Sequence, residues 1–172
     1  MSNILSYRES KTSEEFMSLA FFALTLLFFP QAASKPDAGV EMRGDHAMGF
    51  SHEATTHHFR LYQFGGAIEV SANDSNDANS RDQIRMHLSH IVTMFSQGDF
   101  NVPMFIHDKT PPGASTMSKL RDQIHYQLED TPQGARIAIA TKNKEALAAI
   151  HDFLRFQISD HKTGDSVEIS KP

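Results

Sequence analysis

The 172-residue chain predicts an α+β domain in which two β-hairpin-plus-helix units, ββα-ββα, form one antiparallel sheet with both helices on one face. Three observations predict it. Two stretches alternate apolar and polar residues on either side of a Gly- or Pro-marked break, the period of half-buried strands. Each is followed by a segment whose apolar residues recur at helical spacing, Ile84/Leu88/Ile91/Phe95 and Leu147/Ile150/Leu154/Ile158. At 40% hydrophobic and 22% charged, the composition is that of one globular domain with enough apolar material for a core.

Residues 1–34 read as a signal peptide or hydrophobic leader. The run Met17 to Phe29 is apolar apart from Ser18 and Thr25, and Gln31-Ala32-Ala33-Ser34 after Pro30 suits a signal peptidase. The run is shorter than the roughly 20 residues that span a bilayer, so no stable membrane span is expected after cleavage. The segment before it carries Arg8 and Lys11 against Glu9, Glu14 and Glu15, so Met1 and Met17 both stand as starts. A periplasmic or secreted location follows. Residues 35–49, with Pro36, Gly39 and Gly44, read as a flexible linker, and residues 50–165 as the folded domain.

In the domain, Phe59 and Leu61 alternate with Arg60 and Tyr62, Gly65-Gly66 interrupts, and Ile68-Glu69-Val70 resumes the pattern as a hairpin. Ser80 and Gln83 fit a reciprocal capping box at the start of the first helix, and Gly98 suits its left-handed C-cap. Val102 to His107 is a short apolar piece, Thr110-Pro111-Pro112-Gly113 a loop, and Met117 to Arg121 a candidate helical turn. Ile124, Tyr126 and Leu128 alternate with polar residues, and Thr131-Pro132-Gln133-Gly134 turns the chain toward Ile137 and Ile139 as a second hairpin. Asn143 caps a last helix running to about Asp160, and residues 166–172 read as a loose tail. Sliding the halves over each other sets His58-Phe59 on His125-Tyr126 and His87 near His151.

A net charge of -5 without a Lys/Arg cluster excludes a phosphate-tracking surface, so neither DNA nor RNA is an expected partner. The absence of cysteine excludes disulfides, thiolate metal sites and c-type haem attachment. No H-E-x-x-H, G-x-S-x-G, Walker or G-x-G-x-x-G pattern occurs.

Histidine is the unusual component, at ten residues. On the first helix His87, His90 and Met94 share a strip at i, i+3 and i+7, so ring nitrogens and a thioether are positioned to converge on one ion. His57, His58 and His107 are the candidates to complete the shell. Imidazole and thioether donors without thiolate favour copper, with zinc second. Histidines at the border of an apolar stripe are more commonly held by hydrogen bonds than by metal. The competing expectation is therefore a metal-free interaction or small-ligand-binding module, with a pocket between sheet and helices for a small apolar ligand. Phe153 and Phe156, off the main stripe of their helix, would if exposed make it a homodimer. A third reading, an enzyme with a His general base or a metal-bound water, needs an open cleft with a carboxylate. His151 reads as a buried, satisfied histidine, His46 and His52 as loose copper contacts, and Asp152, Asp160, His161 and Asp165 as a patch at the last helix C-terminus.

The strings T-T-H-H-F, G-G-x-I-E-V, R-D-Q-I-R-x-H-L-x-H-I, P-M-F-I-H, T-P-P-G and A-I-H-D-F-L-R-F-Q-I together resemble a family of small uncharacterised bacterial proteins over roughly Met48 to Asp165. The resemblance marks His57, His58, His87, His90, His107 and His151 as family positions and implies no mechanism. Kinship with aspartate carbamoyltransferase is rejected, since the chain lacks a Ser-Thr-Arg-Thr carbamoyl-phosphate loop and is too short for that two-domain enzyme.

Overall fold

Alternation along the strands decides the architecture. A computed structural model describes residues 38–171, and the leader expected over 1–34 lies outside them. Four strands, β1 (Thr55–Tyr62), β2 (Gly65–Ala72), β3 (Ile124–Thr131) and β4 (Gly134–Thr141), form one antiparallel sheet in the order β1-β2-β4-β3. Pairing sets His57 opposite Val70, Phe59 opposite Ile68, and Ile68 opposite Ile137, and Ile139 faces Tyr126. Successive strand residues point to opposite faces, so this register puts every large apolar strand residue on one side. The other side carries His58, Arg60, Glu69, Arg136 and Glu129, and Arg136 bridges Glu69 at 3.0 Å and Glu129 at 2.8 Å.

Helices α2 (Ala78–Ser96) and α5 (Lys144–His161) cover the apolar side, as the ββα-ββα pattern predicts. Ile84, Leu88, Ile91 and Phe95 are the buried stripe of α2. On α5 the buried face is broader and adds Phe153 and Gln157 to Ile150, Leu154 and Ile158. Phe153 is 1% exposed and meets Phe95 and Phe100 edge-on at 5.9 and 5.7 Å, an arrangement aromatic quadrupoles favour. It is core, not a dimer surface. Phe156 is half-buried, with the His107 ring 4.9 Å from its own and Lys109 Nζ 4.8 Å above it. Among the described residues no helix is long and apolar enough to cross a membrane.

Several local expectations are corrected. The first turn is Gln63-Phe64, and Gly65-Gly66 already belong to β2. Glycine is required there because a Cβ on Gly66 would lie 2.2 Å from Leu154 Cδ1 and one on Gly65 1.9 Å from the Ile139 carbonyl. Helix α2 begins two residues before Ser80, at Ala78, with Asp77 as N-cap accepting from the Ser80 amide at 3.0 Å. The short apolar piece is helix α3 (Asn101–His107), which tolerates Pro103 because first-turn amides have no intrahelical acceptor. The helical turn expected over Met117 to Arg121 is α4 (Ala114–Lys119), starting earlier behind Gly113.

Residues expected as a linker form helix α1 (Ala38–Met48), packed against α3. Two glycines cost it intrinsic propensity. Tertiary bonds hold it instead: Arg43 Nε donates to the Ile106 carbonyl at 2.7 Å, and the Asp45 carboxylate accepts from the His52 amide at 2.7 Å and meets His52 Nδ1 at 2.9 Å. The tail is also anchored. The Asp165 carboxylate, 4% exposed, accepts from the Phe59 amide and Thr163 hydroxyl and meets His58 and Arg60, while the Ser170 amide donates to the Leu61 carbonyl. The outer edge of β1 is thereby covered.

The two halves are equivalent in a different register from that expected. Each consists of a 3-10 turn, two eight-residue strands joined by two residues, and a helix. Strand ends set Thr55 on Ile124 and Gly65 on Gly134, so His57, not Phe59, corresponds to Tyr126.

Candidate functional site

Folding divides the six predicted metal ligands: His57, His87 and His107 line one pocket, while His58, His90 and Met94 do not. His57 and His58, adjacent on β1, point to opposite faces of the sheet, so one helix strip cannot gather both. His57 faces the helices, while His58 lies on the outer side with Nδ1 2.9 Å from Asp165 Oδ1. On α2, His87 turns inward, Met94 packs against the core and His90 is exposed. His107 is buried at the end of α3 and has both ring nitrogens engaged. Among the described residues no group of three or more His, Asp or Glu side chains is placed to hold a metal ion. His151 Nε2 donates to the carbonyls of Tyr62 and Gly65 at 2.9 and 3.0 Å, a structural clamp on the first hairpin.

The three that meet are joined by His161, which was not among the predicted ligands. Between the sheet and helices α2, α3 and α5 lies a pocket of about 70 Å³. Its walls are largely apolar, including Phe59, Ile68, Leu88, Ile91 and Phe153, and four imidazoles enter it: His57, His87, His107 and His161. Met48, His57 and His161 also border a second, more polar pocket of about 240 Å³ that reaches Glu41, His52, Thr55, Thr56 and Thr163. An apolar pocket therefore adjoins a more polar one across a pair of histidines.

That pair is stacked, with ring planes 2° apart and centroids at 5.9 Å. His161 also lies against Phe59 at 5.7 Å and meets His107 edge-on at 4.9 Å. Phe50 bridges His57 and His87, with ring centroids at 6.3 and 5.7 Å. Desolvation by burial lowers the pKa of His57 from the ordinary 6.5 to about 3 and those of His87 and His161 to about 4, and neighbouring imidazoles reinforce each shift. These three rings are neutral at physiological pH.

His107 is held differently. Nδ1 lies 2.6 Å from Asp160 Oδ2 and Nε2 lies 2.9 Å from Gln157 Oε1. Asp160, whose other oxygen is 3.5 Å from Lys109 Nζ, has its carboxyl held below the ordinary range: burial opposes ionisation, and His107 and Lys109 outweigh it. The Gln157 side-chain amide nitrogen is buried without a hydrogen-bond partner, one of three such side-chain atoms among the described residues.

His161 and Gln157 were not candidates from sequence. The signal was present: Phe153, Gln157 and His161 follow one another at i, i+4 and i+8 on α5, a second stripe beside the one marked by Leu154 and Ile158. A polar pair continuing an apolar stripe is what a helix bordering a pocket looks like. No protein-family model matches the chain, and neither a curated protein nor a solved structure is significantly similar to it.

Proposed function

We propose that the domain is a metal-free binding module for a small, mainly apolar molecule, held in the chamber between the sheet and helices α2, α3 and α5. The carrying observation is an apolar pocket entered by four imidazoles, three kept neutral by their surroundings. Ligand sites are concave and mostly apolar with a few convergent polar groups, and neutral imidazoles can donate or accept without placing a charge in the chamber. Copper or zinc is not part of this reading, because His58 and His90 face away from the pocket and His107 has no free ring nitrogen. Among the described residues no Asp or Glu lines the pocket to serve beside an imidazole, which favours a binding role over hydrolysis. From the leader at residues 1–34 we infer that binding takes place in the periplasm or outside the cell.

The test is ligand-observed NMR and thermal shift on the full chain with small ketones, alcohols, hydrocarbons and carboxylic acids. Binding is expected to raise Tm and to move the ring-proton resonances of His57 and His161. A Val102→Trp variant, which places bulk in the pocket wall, should lose both effects while keeping the fold. Absence of any binder, or binding untouched by Val102→Trp, would overturn the proposal.

A further inference from the structure

We infer that the ligand is a neutral molecule bearing a carbonyl oxygen, and that this oxygen accepts a hydrogen bond from the side-chain amide of Gln157. This inference rests on the pocket being a ligand site and names the chemistry of its occupant.

The two ring nitrogens of His107 lie against two oxygens, Asp160 Oδ2 at 2.6 Å and Gln157 Oε1 at 2.9 Å. With Gln157 Oε1 turned to the ring, its NH₂ group points away from it. Gln157 is 4% exposed and lines the pocket, and its Nε2 has no partner among the described residues. Buried amide donors without acceptors are rare in folded proteins because their desolvation is uncompensated. A donor left so at the wall of an apolar chamber is satisfied by an acceptor that the occupant brings.

Charge decides between a carbonyl and a carboxylate. Among the described residues no Lys or Arg lines the apolar pocket. His107 already lies against the Asp160 carboxylate at 2.6 Å, and His57, His87 and His161 are neutral. An anion entering would give up its hydration without meeting an uncompensated cation. A ketone, aldehyde, ester or amide carbonyl loses far less. An alcohol offers the Gln157 amide a weaker acceptor than a carbonyl does.

The test uses a series of similar shape on the full chain: cyclopentanone, methylenecyclopentane, cyclopentanol and cyclopentanecarboxylate, with affinities from NMR titration. Cyclopentanone is expected to bind about tenfold or more tightly than methylenecyclopentane, the size of effect a buried donor gives when its one acceptor is removed. The Gln157 side-chain amide protons should shift only with the ketone. Gln157→Leu should bring the two affinities together. The wild-type comparison decides the matter even if that variant does not fold. Equal affinities for ketone and hydrocarbon would overturn the carbonyl inference and leave the pocket standing. Preference for the alcohol or for the carboxylate over the ketone overturns it. No binding by any of the four overturns the inference and the pocket reading together.

Discussion

Acidification from pH 7.5 to 5.0 should destabilise this domain well before its carboxylates titrate. His57, His87 and His161 have folded-state pKa values of about 3, 4 and 4, against 6.5 in an open environment. Above pH 6.5 neither the folded nor the unfolded chain binds protons there, and the rings make no pH-dependent contribution. Below 6.5 the unfolded chain takes up a proton on each ring while the folded chain does not, so stability falls with pH until the folded pKa values are reached near 4 and 3. At pH 5.0 the unfolded state has gained about 1.5 pH units of protonation free energy per ring, or about 2 kcal/mol at 1.36 kcal/mol per unit. Three rings give about 6 kcal/mol as an upper figure, a large part of the 5–15 kcal/mol typical of a domain. Asp160 and Asp165 have lowered pKa values, and the stability they contribute is lost only as pH falls below the ordinary carboxylate range, outside this interval. Urea unfolding at pH 7.5 and 5.0 measures the difference, and a His57→Gln/His87→Gln/His161→Gln variant should show little of it. A loss under about 1 kcal/mol in the wild type, or any of these rings titrating near 6.5 by NMR in the folded protein, would refute the neutral-imidazole picture.

Phe153→Ala should cost about 3–5 kcal/mol, measured as a lower urea midpoint, because it removes a fully buried ring at the meeting point of α2, α3 and α5. Asp165→Ala should cost about 1–3 kcal/mol and speed amide exchange at Phe59, since it removes the acceptor of that amide and the partner of His58 and Arg60. Gly113→Ala should lower Tm, because a Cβ there would lie 2.0 Å from the Ala149 carbonyl and the residue has φ +80°; a neutral result would mean that α4 and α5 separate at no cost. Copper(II) or zinc(II) titrated into the chain should show no stoichiometric submicromolar binding that a His87→Ala/His90→Ala variant removes; calorimetric detection of such a site would restore the metal reading.

The legible parts of the sequence were those governed by local periodicity. Alternation at Phe59/Leu61 and Ile137/Ile139, and the stripes Ile84/Leu88/Ile91/Phe95 and Leu147/Ile150/Leu154/Ile158, gave the two ββα units because a half-buried element must repeat with its own period. The buried state of His151 was legible for the same reason, since its neighbours on α5 are apolar. Where an element is held by its neighbours rather than by its own pattern, the sequence was silent. Helix α1 carries Gly39 and Gly44 and exists through Arg43 bonding α3 and Asp45 bonding His52. The tail carries no periodicity and is fixed through Asp165 on the edge of β1.

The sequence by itself determined the class of the domain, the order of its hairpins and long helices, and the chemical resource it carries, which is imidazole. Only the tertiary structure decided which imidazoles meet. His87 and His90 lie within a turn of each other on one helix, yet one faces the pocket and the other is exposed. His57, His107 and His161 come from a strand, a short helix and the end of a long one, and no sequence spacing links them. Periodicity reports which face of an element is buried, whereas a site is assembled where several such faces end against one another, and that is fixed by register and packing across the whole chain.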